Sequence, residues 1–205
     1  MSDLVGGRYP QNYDVAKLLG FQGNASQSNM TPRSNLEWFG PGGLTDGALA
    51  ATGVGCAVAV PVEVGDVFTK VSILVGAAAE ATGTHAFAAL YSGIATPALL
   101  GQSADATGAT AVGPVNTRFD FALSAPVTIT PSNAPGGFVY ASIAITATTV
   151  PTCAVASTPT AIGYQWFSNG PLFFSATHGS ALGGTAAATI ASPSAKAVAP
   201  IVALW

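Results

Sequence analysis

The stretch GGFVYASIAITAT, residues 136–148, decides the fold class, because it has the composition of a β-strand and no charge on either face. Alternate residues of a strand point to opposite sides of its sheet. One face is apolar throughout and is predicted to lie in a core. Its members are Val139, Ala141, Ile143 and Ile145. The other face is aromatic at first and then small and neutral. Its members are Phe138, Tyr140, Ser142, Ala144 and Thr146. Such a face is atypical of a sheet in open water, so we expect something to cover it.

Similar segments recur from residue 44 onward, each rich in Val, Ile, Phe, Tyr or Thr and bounded by Gly, Pro, Asn or Ser. They are GCAVAVPVEV, VFTKVSILVGAA, THAFAALYSG, TRFDFALSAPVTIT, GGFVYASIAITAT, YQWFSNGPLFFSA and KAVAPIVALW. Short strands at this spacing, with no convincing amphipathic helix between them, predict an all-β fold, an antiparallel β-sandwich of the jelly-roll kind. Pro61, Pro126 and Pro131 are then expected at strand ends, edges or bulges.

Charge and hydropathy exclude several classes of function. Charged residues make up 7% of the 205 residues and the net charge is −3. Binding to nucleic acid requires clustered Lys and Arg, and the six present are spread along the chain. No apolar run is long enough to cross a membrane, and the N-terminus lacks the features of a secretory signal, so we expect synthesis in a cytoplasm without membrane insertion. A surface with so little charge favours self-association.

The composition changes near residue 43, which predicts two parts. Residues 1–43 form an extended N-terminal arm rich in Asn, Gln, Ser and Gly, with one short helix predicted in DVAKLLGFQG. Residues 44–205 form the β-sandwich domain. The aromatic, apolar and basic side chains of the arm are the candidates for docking on a partner. They are Arg8, Tyr9, Tyr13, Leu18, Leu19, Phe21, Trp38 and Phe39.

Acid–base chemistry has few candidates. No Asp or Glu follows Asp120. Glu63 and Asp66 form a carboxylate pair of the kind that glycosidases use, but charged residues at an exposed β-turn are the better interpretation. Arg118 and Asp120 are two residues apart on a predicted strand, so they face the same side and indicate a surface ion pair.

Histidine and cysteine give no recognisable site. His85 and His178 have no Cys, His or acidic residue at ligand spacing, which argues against a metal ion. A Ser/His/Asp triad is assembled in space and stays open, although no G-x-S-x-G motif is present. Cys56 and Cys153 lack CxxC partners and are predicted to be buried free thiols. We therefore predict a protein that is not an enzyme.

Aromatic residues near the C-terminus supply the best candidate for ligand recognition. Tyr164 and Trp166 lie in YQWFSNGPLFF among Asn, Gln and Ser donors, a combination typical of carbohydrate sites. Contact with a glycan of the host envelope is one interpretation. Packing in the core or at a subunit interface is the other.

Three parts of the body carry a family resemblance. They are VPVEVGDVFTKVSILVGAAAEATGTHAFAALYSG, APVTITPSNAPGGFVYASIAITATTVP, and NGPLFFSATHGSAL with ASPSAKAVAPIVAL. In these the chain resembles the minor tail or virion-surface (decoration-type) proteins of tailed bacteriophages that infect actinobacteria. The resemblance implies a non-enzymatic structural protein of the virion, a tail-associated or capsid-decorating module, commonly a homotrimer, with no cofactor. It also implies attachment to other virion proteins, of the capsid or the tail, through the N-terminal part.

The resemblance suggests a cover for the charge-free face of residues 136–148. If three copies pack around an axis, this face is expected to be buried between subunits or under the arm of a neighbour. Deletion of residues 1–43 is then expected to leave a folded oligomer that no longer joins the virion.

Overall fold

A computed structural model describes residues 32–39, 44–107, 112–158 and 173–205. These residues form antiparallel sheets packed as a sandwich, with almost no helix, which confirms the predicted fold class. Within the described ranges, no helix has the length and apolar character needed to cross a membrane.

The elements follow one another along the chain as short strands with one helical turn. They are β1 (Arg33–Ser34), α1 (Leu36–Phe39), β2 (Thr45–Ala48), β3 (Gly55–Pro61), β4 (Val67–Leu74), β5 (Ala81–Ser92), β6 (Leu99–Gln102), β7 (Arg118–Thr128), β8 (Phe138–Thr149), β9 (Thr152–Ser157), β10 (Ser175–His178), β11 (Ser194–Ala195), β12 (Val198–Pro200) and β13 (Val202–Leu204).

Three sheets result from this order. The largest has six strands in the order β11-β10-β3-β8-β5-β6, with the quoted stretch as its inner strand β8. A four-stranded sheet has the order β1-β13-β4-β7, and a three-stranded sheet has the order β12-β9-β2. All pairings are antiparallel.

The predicted segments between residues 55 and 149 contain strands, which confirms them, whereas β1, β2, β6, β9 and β11 were not predicted. Of the predicted segment YQWFSNGPLFFSA, residues 164–172 lie outside the described residues, and its end overlaps β10. β2 has the sequence TDGA and β6 the sequence LLGQ, and both are too short to show alternation. The stretch KAVAPIVALW was predicted as one strand, but the chain changes sheets at Ile201. β12 before it pairs with β9, and β13 after it pairs with β4.

Prolines occupy the positions that were predicted. Pro61 ends β3, and Pro131 follows the end of β7. Pro126 lies in β7, the last strand of the four-stranded sheet. The ladder shifts register between the pairs Phe68↔Val127 and Lys70↔Ala122, so Pro126 falls in its irregular part. A missing N–H is tolerated at such positions because no regular ladder bond is lost.

The main core lies between the sheets and receives the first face of β8. Val139, Ala141 and Ile143 are fully buried, and Ile145 is 1% exposed. They pack in one cluster with side chains of β4, β7 and β13, including Val71, Phe121 and Leu204. This face was predicted to be core, and the structure confirms it.

The second face of β8 is covered by the same chain, so the prediction that a second subunit or a neighbour's arm must bury it is wrong. Tyr140 is fully buried, and its ring stacks on that of Phe173 at 4.3 Å. Residues 179–190, which we call the cover segment, run over the same face and bury Ala186 and Ile190 against it. The chain therefore forms three layers. The six-stranded sheet lies in the middle, with the cover segment on one face and the opposing sheets on the other.

Candidate functional site

Most of the predicted contact residues lie outside the described ranges. In the arm these are Arg8, Tyr9, Tyr13, Leu18, Leu19 and Phe21, together with the side chain of Phe39. The two candidates for glycan contact, Tyr164 and Trp166, also lie outside them. Of the predicted contact residues, Trp38 is the one whose side chain the structure describes.

The last residues of the predicted arm are built into the sandwich. We call residues 33–38 the arm base. β1 pairs with β13, with Arg33 opposite Leu204 and Ser34 opposite Ala203. Ser34 Oγ donates to the carbonyl of Val202 at 2.8 Å. The arm base is thus an edge strand of the four-stranded sheet and holds a fixed position on the body.

Asn35 is the central residue of the arm base. It is fully buried, and its side chain spans the point where the chain changes sheets. Asn35 Nδ2 donates to the carbonyl of Pro200 at 2.7 Å, and its Oδ1 accepts from the backbone N–H of Val202 at 2.9 Å. The amide therefore satisfies both backbone groups that the change of sheet at Ile201 leaves without a ladder partner.

Arg33 ties the arm base to the turn between β3 and β4. Its guanidinium contacts Asp66 at 2.8 Å and Glu63 at 3.1 Å. Asp66 Oδ2 also accepts from the backbone N–H of Glu63 at 2.8 Å, which closes the turn. The two carboxylates therefore belong to a β-turn, as predicted. No sequence signal identified Arg33 as their partner, since it lies about thirty residues earlier in the chain.

Trp38 lies at the outer end of the arm base. It is 37% exposed, and its ring meets that of Phe174 edge to face at 5.5 Å. The contact joins the arm base to the residue that precedes β10. A partly exposed aromatic side chain beside a fixed strand is a suitable surface for a protein partner.

A second cluster surrounds Trp205 on the outer face of the four-stranded sheet. Lys70 Nζ and Arg118 Cζ each lie 4.9 Å from the centroid of its ring. Both cations also pair with Asp120, at 3.0 Å in each case, and Ser72 Oγ donates to the same carboxylate at 2.6 Å. The predicted ion pair of Arg118 and Asp120 is confirmed. One carboxylate therefore pairs with two cations within the body.

The pKa of Asp120 is lowered by its partners. Burial acts to raise it, but the hydrogen bonds from Ser72 and Lys70 and the charge of Arg118 outweigh burial. A carboxyl group whose folded-state pKa is depressed stabilises the protein above its unfolded pKa, about 3.9. That contribution is lost as the pH falls through the folded-state value.

Replacing Asp120 with asparagine tests this cluster. We expect Asp120→Asn to lower the free energy of unfolding by about 1 kcal/mol at pH 7, because partly exposed ion pairs contribute little each and the pairs with both Lys70 and Arg118 are lost. We expect the difference from wild type to shrink below pH 4 and at high salt. Urea unfolding at several pH values measures it. A difference that stays constant from pH 7 to pH 3 would contradict an ionic contribution.

The two histidines have polar partners that their sequence neighbours did not indicate. His85 Nδ1 lies 2.6 Å from Asp105 Oδ2, and Asp105 is held by the backbone N–H of Ala86 at 3.0 Å. His178 Nε2 lies 2.7 Å from Ser142 Oγ. The second pair resembles part of a hydrolytic triad, but His178 Nδ1 has no hydrogen-bond partner among the described residues. The side chains of Ser142 and His178 are also buried, which gives a substrate no access.

The two cysteines are buried free thiols, as predicted. Burial raises the pKa of Cys56, and it raises that of Cys153 to about 12. A thiol of this kind is unreactive, because the thiolate is the nucleophile. Within the part of the chain that the structure describes, no three His, Cys, Asp or Glu side chains come together as a possible metal site.

Comparison with known proteins adds no identification. Neither a protein-family model nor a curated protein matches this chain. The arm base and its contacts on the body are therefore the main structural basis for a functional proposal.

Proposed function

We propose that this protein is a non-enzymatic structural component of a bacteriophage virion, a tail-associated or capsid-decorating module that docks on the particle through its N-terminal arm. The observation that supports this most is the arm base. An arm that attaches a domain to a particle transmits force through the point where it joins the domain. Here that point is held by strand pairing, by the buried amide of Asn35 and by the Arg33 ion pairs.

The body suits such a role because its polar groups are paired internally. The cations of both clusters are paired with carboxylates on the surface of the sandwich, Arg33 with Glu63 and Asp66, and Lys70 and Arg118 with Asp120. A self-contained β-sandwich with few free charges is a suitable unit for repeated display on a particle. A homotrimer remains part of the proposal. Its interface would use a surface other than the second face of β8, since the cover segment already occupies that face.

Deletion of residues 1–31 is the experiment that tests docking. We expect the shortened protein to fold with the stability of the full chain, because every described contact of the arm base is retained. We expect it to be missing from purified particles when it replaces the wild-type protein in an infection. Deletion to residue 43 is unsuitable, since it also removes β1 and Asn35. Incorporation at the wild-type level would contradict the anchoring role.

Location on the particle distinguishes the two forms of the proposal. Cryo-electron microscopy of intact virions would show either density at many capsid positions, as expected of a decoration protein, or a few copies at the tail. The other candidate function, recognition of a host glycan by Tyr164 and Trp166, involves residues outside the described ranges, and no described contact favours it.

A further inference from the structure

Both histidines of the chain lie against the cover segment. His178 is the last residue of β10, directly before the cover segment begins at Gly179, and it is 4% exposed. His85 lies further along, where the cover segment passes at Gly184. A Cβ placed on Gly184 would come within 2.3 Å of Asp105 Oδ2 and 3.0 Å of His85 Nδ1. The cover segment therefore packs tightly on both imidazole environments.

The two histidines differ in their hydrogen-bond partners. His85 has the carboxylate of Asp105 at 2.6 Å. His178 has only the hydroxyl of Ser142, which is itself 3% exposed. The neutral ring either donates from Nε2 to that hydroxyl or accepts from it, according to the tautomer. The doubly protonated ring needs an acceptor at Nδ1 as well, and none lies among the described residues. An uncompensated buried charge of this kind is costly.

The surroundings of His178 leave little room to relax. The ring lies against the backbone of β3, where a Cβ on Gly55 would come within 2.6 Å of Nε2. The ring of Tyr91 on β5 meets it edge to face at 5.8 Å. Tyr91 is titratable, and burial raises the pKa of Tyr91 to about 12, so it stays neutral in acid. Cys56 is also titratable and adjoins Gly55 on β3, and burial raises its pKa as well. Asp105 and His85 are the titratable groups beside Gly184, further along the cover segment. Relief therefore requires movement of the cover segment or of the end of β10.

Hydrogen bonds hold the cover segment at several points along its length. The backbone N–H of Leu182 donates to the carbonyl of Gly53 at 2.9 Å, and that of Ile190 donates to Pro97 at 3.0 Å. Tyr91 Oη donates to the carbonyl of Ala187 at 3.0 Å. Beneath the segment lies an apolar face. It includes Ala57, Ala59, Phe87, Tyr91 and Tyr140.

We propose that His178 makes the cover segment an acid-released element, which separates from the six-stranded sheet when the imidazole is protonated and exposes the apolar face of β5 and β8. The geometry supports this through the buried Nδ1 without an acceptor and the direct link from β10 to Gly179. The inference concerns the body alone and does not depend on the proposed role in a virion.

The direction of the pH effect follows from linkage. Burial lowers the pKa of His178 below its ordinary value near 6.5. In the open state the imidazole is solvated and binds a proton more readily than in the closed state. The closed state is therefore favoured above pH 6.5 and loses population as the pH falls. Between pH 7.5 and pH 5 the opening equilibrium is expected to rise by up to about 30-fold, the limit set by an unperturbed imidazole in the open state.

Hydrogen exchange measured by mass spectrometry on the full chain tests the proposal. After correction for intrinsic rates, amides of residues 179–190 are expected to lose protection between pH 7.5 and pH 5, while the β3–β8 ladder stays protected. His178→Gln keeps a donor for Ser142 and cannot be protonated, so it is expected to abolish the response. His85→Gln is the matched control and is expected to retain it. An equal response in wild type and His178→Gln would overturn the proposal.

Titration of wild-type His178 by NMR keeps the test decisive if the glutamine variant does not fold. We expect the imidazole of the mostly closed protein to remain neutral below pH 6.5, while protection in residues 179–190 already falls because the open state takes up the proton first. A His178 that titrates at or above pH 6.5 while the cover segment stays protected would overturn the proposal.

Discussion

Replacing Phe173 with alanine is expected to lower the free energy of unfolding by about 3–5 kcal/mol, the range for removing a buried aromatic side chain from a core. Phe173 is 3% exposed and stacks on the fully buried Tyr140. Its loss would leave a cavity over β8 and remove an offset-stacked pair that contributes beyond its buried area. Urea unfolding monitored by circular dichroism measures the effect.

Measuring the stability loss of Phe173→Ala at several protein concentrations tests whether the same chain or a second subunit covers the second face of β8. Because Phe173 belongs to the same chain as Tyr140, the loss is expected to be the same at low and high concentration. If a second subunit covered the face, stability would rise with concentration by mass action, and the variant would change that slope. Val64→Ala is the control, since Val64 is 61% exposed and is expected to change stability by less than about 0.5 kcal/mol.

The strand pattern predicted the sandwich because β8 and its neighbours alternate strongly enough to show both faces. Val139, Ala141 and Ile143 lie in the main core as their spacing indicated. The sequence correctly indicated that the second face of β8 needs a cover. The expected cover was another subunit or its arm, whereas the structure has Phe173 and the cover segment of the same chain there. Residues 179–190 are mostly Gly, Ala, Ser and Thr, which is the composition of a loop, and nothing in it marks a layer of the core. Ile190 is their one large β-branched residue.

The candidate site was less predictable than the fold, because its residues come together over long distances in sequence. Asn35 donates a hydrogen bond to the carbonyl of Pro200, which lies 165 residues away in the sequence. Asp105 and His85, which are in hydrogen-bond contact, are 20 residues apart. Local patterns carry no information about such pairs. The pair Arg118 and Asp120 was predictable because two residues on one strand face share a side whatever the rest of the fold does.

Asn35→Ala is expected to have the second large effect, a loss of about 2–5 kcal/mol in the free energy of unfolding. Two buried backbone groups, the carbonyl of Pro200 and the N–H of Val202, would lose their partner, and each unsatisfied group costs about 1–3 kcal/mol. The fully buried position leaves no room for water to take over without rearrangement. Chemical denaturation of the full chain measures the loss, and exchange of the Val202 amide locates it.

Asn133→Ala is the matched control, because its side chain also bridges two backbone groups. Asn133 Oδ1 accepts from the N–H of Thr130 at 2.9 Å, and its Nδ2 donates to the carbonyl of Thr128 at 3.1 Å. It does so at a turn that water reaches, so its replacement is expected to cost no more than about 1 kcal/mol. Equal losses in the two variants would mean that the arm base is not specially braced at the change of sheet. A larger loss at Asn35, with faster exchange at Val202, would mean that residues 33–38 join the body at a rigid point, as the proposed docking through the arm requires.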